Sequence, residues 1–523
     1  MKHIKLFSLL LVLCLACTCL LTACKGDNGG DESKEDQSSV GEKNPYVDGN
    51  GRYTGSFESK YEGQTITFLT CSVNPTYESE ILYNPYADSK KDKYEDGTNV
   101  TMPEVLNDNL KYRAEFVEET LGVTVEEVKL HQTQRPGGEM VQTIREGNLS
   151  ATTDYQIIVP CLYDAANLAV DGQLYNLLGN GFDTFQSEAP WWNQDFNKSM
   201  TYGGQLYFTI GDLGIGNKSS TAALYVNIDL WKKLGLVEKF GGTPYDLVRE
   251  GKWTVDTVFE AAQNLSKDED NSSVIDYKDS FGWGGQLDDM WSIFYASGER
   301  IAQAGADGYP TLTMFNERSA KLMESLQEFV QNKKYYISAN DYFGIVQWPT
   351  VLVQEAFTSG RAIFYNGNVG TVIELGVMEQ HFGIVPVPKA DETQDTYYSL
   401  VNPWTSTCFA VPTCVVGEEL QKTVDVLNVM GAESMNTVSV HYKEILEYMK
   451  TRDDDSVDML NNYILPNRGC DVGLVYKWGA LDTLLQTMAS QTVGTFASQY
   501  DTKKEAAQNA LDETVEFFKD NTK

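Results

Sequence analysis

The sequence predicts an α/β protein of two lobes. From Thr65 to Val170, strand-like apolar runs alternate with amphipathic helical stretches in a β-α-β-α-β-α order. That order belongs to a parallel or mixed sheet covered by helices on both faces. Beyond an N-terminal leader and a polar stretch, about 460 residues remain, which is long for one core and suggests two lobes or domains. A hydrophobic content of 42% is that of an ordinary folded body.

The leader comes first. Lys2 and Lys5 precede an apolar run from Leu6 to Leu21, followed by Thr22, Ala23 and Cys24. A charged start and an apolar middle make a secretory signal. The run, about 16 residues, falls short of the roughly 20 that span a bilayer; a retained anchor helix is the lesser alternative. Cys14, Cys17 and Cys19 lie inside the run and read as apolar filler. Leu21-Thr22-Ala23-Cys24 resembles the bacterial lipobox. The resemblance implies a signal peptide over 1–23, cleavage before Cys24 and lipid on that cysteine. One acyl chain holds a membrane weakly, and the two or three chains that the lipobox implies would hold it stably. Residues 24–59 then form a flexible linker, rich in Gly, Asp, Glu, Ser, Lys and Asn. Such a composition buries too little apolar surface to offset its ordering entropy. A coil of about 35 residues has ends roughly 30 Å apart.

The folded part follows element by element. Thr65–Thr70 reads as a buried strand. Pro103–Leu121 carries Val105, Leu106, Leu110, Phe116, Val117 and Leu121 near helical spacing, with Gly122 as the stop. Val123–Leu130 reads as strand, Gly138–Glu146 as helix, Tyr155–Val159 as strand and Tyr163–Val170 as helix. Gln205–Ile210 and Ala222–Val226 are further expected strands. Thr254 is an N-cap for a helix reaching Ser266, with Val255, Val258, Phe259, Ala262 and Leu265 on one face. Ser319–Val330 and Val351–Phe357 read as helices, Arg361–Tyr365 and Cys408–Val411 as strands, and Glu418–Met430 and Lys503–Lys519 as late helices.

Several chemistries are disfavoured. A formal charge of −33 repels nucleic acid and anionic lipid surfaces. Cys71, Cys161, Cys408, Cys414 and Cys470 remain in the body; their spacing matches no CxxC metal pattern, and an odd count leaves at least one thiol free. Buried small apolar residues are the favoured reading, with a Cys408–Cys414 disulfide as the lesser one. Gly211 to Ser219 misses the phosphate-loop pattern because Asn217 separates glycine from lysine. The four histidines, His3, His131, His381 and His441, form no clustered ligand set. No GxSxG elbow is present. Asp268, Asp270 and Asn271 lack the glycine and glutamate of a calcium loop. No metal and no cofactor are expected, and no spacing singles out a catalytic carboxylate pair.

Three motifs in order carry a family resemblance. Tyr225-Val226-Asn227-Ile228-Asp229-Leu230-Trp231-Lys232-Lys233-Leu234-Gly235-Leu236, followed by Thr243-Pro244 and Trp253-Thr254, resembles a segment of the extracellular solute-binding proteins, family 1. Ala356 to Gly367 and Phe382-Gly383-Ile384-Val385-Pro386-Val387-Pro388 resemble two later segments of that family. The stretch from Arg452 to Trp478 looks like a subgroup from Gram-positive bacteria. The resemblance implies a two-lobed periplasmic-binding-protein-like fold (type II), each lobe a mixed sheet flanked by helices, with the ligand in the cleft between them. Lobe one would be 60–220 with 400–435, and lobe two 221–399 with 436–523. It further implies a lipid-anchored, extracytoplasmic, monomeric receptor on the cell membrane. Such a receptor delivers a small solute, usually a sugar or oligosaccharide, to the transmembrane subunits of an ABC permease. It implies no enzyme activity. A surface-anchored glycan-processing enzyme, or a receptor for a non-sugar solute such as a peptide, stays open as an alternative.

A sugar site needs aromatic faces for the apolar side of the ring and polar groups for its hydroxyls. With 9 Trp, 29 Tyr and 22 Phe, position must choose among them. Turns after strands are favoured: Tyr163 and Asp164, Asp212, then Trp283, Asp288 and Trp291, then Asn366 and Asn368. Asn402 and Trp404 precede the Cys408–Val411 run. Asn74 is a weaker candidate, and Trp253 is expected to pack before its helix.

Overall fold

A parallel three-stranded sheet opens the folded body of this computed structural model, which describes residues 60–72, 80–82, 104–131, 136–151, 154–450, 453–491 and 493–521. The expected signal peptide, Cys24, the linker and Asn74 lie outside the described residues. Strands β1 (Gln64–Ser72), β2 (Val123–His131) and β3 (Ile157–Val159) run in the order β2-β1-β3. Parallel neighbours need crossovers; helices Glu104–Leu121 and Glu139–Ser150 supply them. Side chains alternate across the sheet. Ile66, Phe68, Ile157 and Val159 share one apolar cluster with helix Glu418–Asn436, while Leu69, Cys71 and Ile158 face helices Glu139–Ser150 and Leu162–Val170. Coverage on both faces explains why these strands are apolar throughout.

The second sheet is mixed. It contains β4 (Ala222–Asn227), β5 (Ser266–Lys267), β6 (Ser280–Gly285), β9 (Tyr336–Ser338), β10 (Ala362–Asn368) and β11 (Phe382–Val385). Between β6 and β9 lies a small hairpin, β7 (Ala302–Ala304) and β8 (Pro310–Leu312). The order is β11-β4-β10-β6-β5, with β9 also on β6. β4 is antiparallel to both β10 and β11, while β10 and β9 are parallel to β6. Gly282 in β6 passes so close to helix Val255–Ala262 that a Cβ there would meet the Ala262 carbonyl oxygen at 2.2 Å. Thr254 caps that helix by accepting the Thr257 N–H.

Two passages of chain lie side by side between the sheets. Thr221 bridges Val401, and the Asn402 N–H donates to the Ser220 carbonyl at 2.9 Å. There β12 (Ser399–Leu400) pairs with β13 (Arg468–Gly469). The last helix, Phe496–Asp520, packs on helix Glu317–Gln331 and also reaches Tyr202 and Tyr207 through Phe517 and Phe518.

Two expected strands do not form as such. Within Gln205–Ile210 the ladder reduces to isolated bridges, Tyr202 to Gln205 and Thr209 to Phe409. The Leu206 N–H donates instead to the Asn176 side chain, and its carbonyl accepts from Leu177. Cys408–Val411 likewise contributes single bridges, Phe409 to Thr209 and Ala410 to Ile158. The helix from Thr254 ends at Ala262, four residues earlier than its periodicity predicts. Cys408 and Cys414 are not joined in a disulfide, and Cys71, Cys161, Cys408 and Cys470 are buried. Among the described residues, no helix is long and apolar enough to cross a membrane.

Candidate functional site

Two adjoining cavities open between the sheets, of about 320 and 220 Å³, and share Asn368 and Thr371 in their walls. The end of β10 supplies Asn366 and Asn368. The turn after β6 supplies Asp288 and Asp289, and the passage beyond β12 supplies Asn402. From the other side come Glu80, the Ile215–Ser220 segment and Thr407.

Asp289 lines the second cavity. It is buried, and its carboxylate accepts the Gln286 N–H (2.8 Å) and the Asn366 amide Nδ2 (2.7 Å). Burial pushes its pKa up from 3.8 to about 8; those hydrogen bonds pull it down, and the charge of Asp288 pushes it further up. Asp288 accepts from Gln486 Nε2 at 2.7 Å. Burial raises its pKa, while Gln486 and the Lys477 ammonium oppose the rise. Glu80 is buried and accepts the Gly216 N–H (2.7 Å) and the Thr407 hydroxyl. Its pKa is raised by burial, against the pull of Thr407, Gly216 and Arg113. Arg113 holds this wall in place: buried, it donates to the carbonyls of Glu80, Ile81 and Leu213 and to Ser434 Oγ, at 2.7–2.9 Å. Burial lowers its pKa to about 10.

Of the residues expected at the site, Asp288, Asn366, Asn368 and Asn402 line these cavities. The others lie elsewhere. Trp283 is fully buried, ringed by Phe259, Phe329, Tyr336 and Phe364 at 5.9–6.2 Å between centroids, so it offers no face to a solute. Trp291 is buried and donates its indole N–H to the Asp482 carbonyl at 3.0 Å. Asp164 is buried in the first turn of helix Leu162–Val170 and accepts the Gly137 N–H. Asp212 is committed to Lys218 Nζ (2.6 Å) and Ser439 Oγ (2.9 Å). Tyr163 is buried, with Lys477 Nζ 4.6 Å from its ring centre. Trp404 is half-buried, and its N–H donates to the Asn402 side chain. Trp253 packs in the second sheet's core beside Trp231 and Phe364.

Glu80, Asp289, Glu374 and Gln286 line the cavities and were not singled out by sequence. Asp289 was within reach, as the immediate neighbour of Asp288. Tyr365 is the aromatic residue in the walls, and Trp348, 57% exposed, stands two residues before cavity-lining Thr350. In the 268–279 loop, the carboxylates of Asp268, Asp270 and Asp279 gather within 4.8 Å of one another. They accept backbone N–H groups of that same loop, from Ser272, Ser273, Glu269 and Asp276.

No protein-family model matches the sequence, and no curated protein matches it. Solved structures do. The ABC substrate-binding protein Lmo0181 of Listeria monocytogenes, in complex with cycloalternan, superposes with a TM-score of 0.52 at 13% identity, covering 86% of this chain and 98% of its own. UspC of M. tuberculosis superposes with a TM-score of 0.51 at 13% identity, covering 85% and 100%. The fold is therefore the two-lobed one of periplasmic-binding-protein type, with the described cavities between its sheets.

Proposed function

We propose that this chain is an extracytoplasmic solute receptor. It captures a carbohydrate in the cleft by closing two lobes, 60–220 with 400–435 and 221–399 with 436–523, and delivers it to an ABC permease. The observation that carries this reading is a polar cleft whose walls come from both sides of the chain crossings: Glu80, Gly216 and Thr407 on one side, Asp288, Asn366 and Asn368 on the other. Ligand favours closure only through contacts made to both sides at once, and this lining provides them. Amides, hydroxyls and carboxylates suit a polyol, whose hydroxyls donate and accept. Trp348, exposed and two residues before cavity-lining Thr350, would offer an aromatic face to a sugar ring.

The leader supports the same reading. A lipid on Cys24 and a linker over 24–59 would keep the receptor near its permease and raise its effective concentration there. The chain acts as a monomer and is no enzyme. Lmo0181, similar in fold, is an ABC substrate-binding protein in complex with cycloalternan.

A thermal-shift screen of the protein against mono- and oligosaccharides, peptides and polyamines, followed by chromatography of each stabilising solute, tests the reading. Stabilisation with the solute recovered intact is expected. Accumulating cleaved products would replace the receptor with a glycan-processing enzyme.

A further inference from the structure

We infer that the solute carries a protonated amine, held in the cleft by Asp289 and the acceptors around it. This deepens the receptor reading and rests on it. The cavity walls contain four carboxylates, Glu80, Asp288, Asp289 and Glu374. Among the described residues, no Lys, Arg or His lines either cavity. Buried charge is normally paired. Arg113 steadies Glu80, and Lys477 is shared between Asp288 and Asp482 (3.2 Å), whereas the charge felt by Asp289 is that of Asp288.

An independent observation points the same way. Asn366 is 93% buried and lines the cavity, and its Oδ1 has no hydrogen-bond partner. Its orientation is fixed, because Nδ2 donates to Asp289 Oδ1 at 2.7 Å and to Ser292 Oγ at 3.5 Å. Both Asp289 oxygens accept in this arrangement, so the amide oxygen turns away from Asp289. The backbone N–H of Gln286 and the Tyr336 hydroxyl (3.5 Å) also point donors at Asp289, keeping it an acceptor. A buried acceptor left unmade is costly, and a donor-rich guest relieves it. An ammonium has three donors and no acceptor. It would also supply the positive charge whose absence lets burial push the Asp289 pKa upward. A net charge of −33 draws cations to the whole surface.

The shared chemistry, an ammonium group, could sit on an amino sugar or on an aliphatic polyamine. Calorimetric titration of the full chain, at mildly acidic pH and low salt, with fully deacetylated chitotriose, its fully N-acetylated counterpart and spermidine separates them. Chitotriose is expected to bind at least about tenfold more tightly than the acetylated form, with an affinity that falls as salt rises. Asp289→Asn, and independently the exposed rim variant Glu374→Gln, should bring the two affinities toward equality. Binding of spermidine without chitotriose would keep the ammonium and assign it to a polyamine. Tight binding of the acetylated sugar alone would overturn the amine and leave the receptor standing. Failure of all three would also overturn it, while the broader solute screen decides the receptor separately.

Discussion

Replacing Arg113 by leucine is expected to lower the unfolding free energy by about 3–5 kcal/mol, the cost of breaking a buried charged network from one side. The guanidinium is buried and donates to four acceptors: the carbonyls of Glu80, Ile81 and Leu213, and Ser434 Oγ. Leucine fills part of the volume but satisfies none of them, and each orphaned buried acceptor costs about 1–3 kcal/mol. It also removes the positive charge that stabilises Glu80. Glu80–Ile81, Leu213 and Ser434 come from three separate stretches of chain, so the loss loosens one wall of the cleft as well as the fold. Denaturant unfolding measures the first effect, and solute affinity of the folded fraction measures the second. Stability within about 1 kcal/mol of the parent would mean that the four acceptors find other partners.

Trp283→Ala is expected to cost about 3–5 kcal/mol of stability, as large-to-small changes at buried aromatics do. The indole sits among four aromatic rings on the core side of β6. Its removal leaves a cavity flanked by Phe259 and Phe329, which stack on each other with 3.9 Å between centroids and hold that space open. At temperatures where the variant stays folded, solute affinity should be retained. Loss of affinity without loss of stability would instead make this ring part of the solute site.

The fold was largely legible because its signals are local. The apolar spacing in Glu104–Leu121, the threonine cap at Thr254 and the β-branched run before Pro160 each predict their element. Gln205–Ile210 was misread because apolar alternation reports burial and not pairing. Those residues are buried, but their backbone groups bond to turns and to Asn176. The cleft was harder to read. Asp288, Asn366 and Asn368 lie at or just past strand ends and were visible by that rule, while Asn402 was singled out as preceding the Cys408–Val411 run. Trp283 follows the same rule and yet faces inward, because the two faces of a strand cannot be told apart in an apolar run such as Phe281–Gly285. Glu80 is held at the cleft by Arg113, Thr407 and Gly216, contacts spanning up to 327 residues of sequence separation, which no local pattern encodes.

The central claim is closure of two lobes on a solute. Spin or fluorescent labels at Leu149→Cys and Val377→Cys would report it directly. The parent side chains are 90% and 79% exposed, in helix Glu139–Ser150 and just past the Val372–Leu375 turn, with half-buried Cys414 changed to serine in the same chain. The account predicts that the label-to-label distance shortens and its distribution narrows when a stabilising solute from the screen is added to saturation. Saturable binding of that solute with an unchanged distance distribution would contradict it.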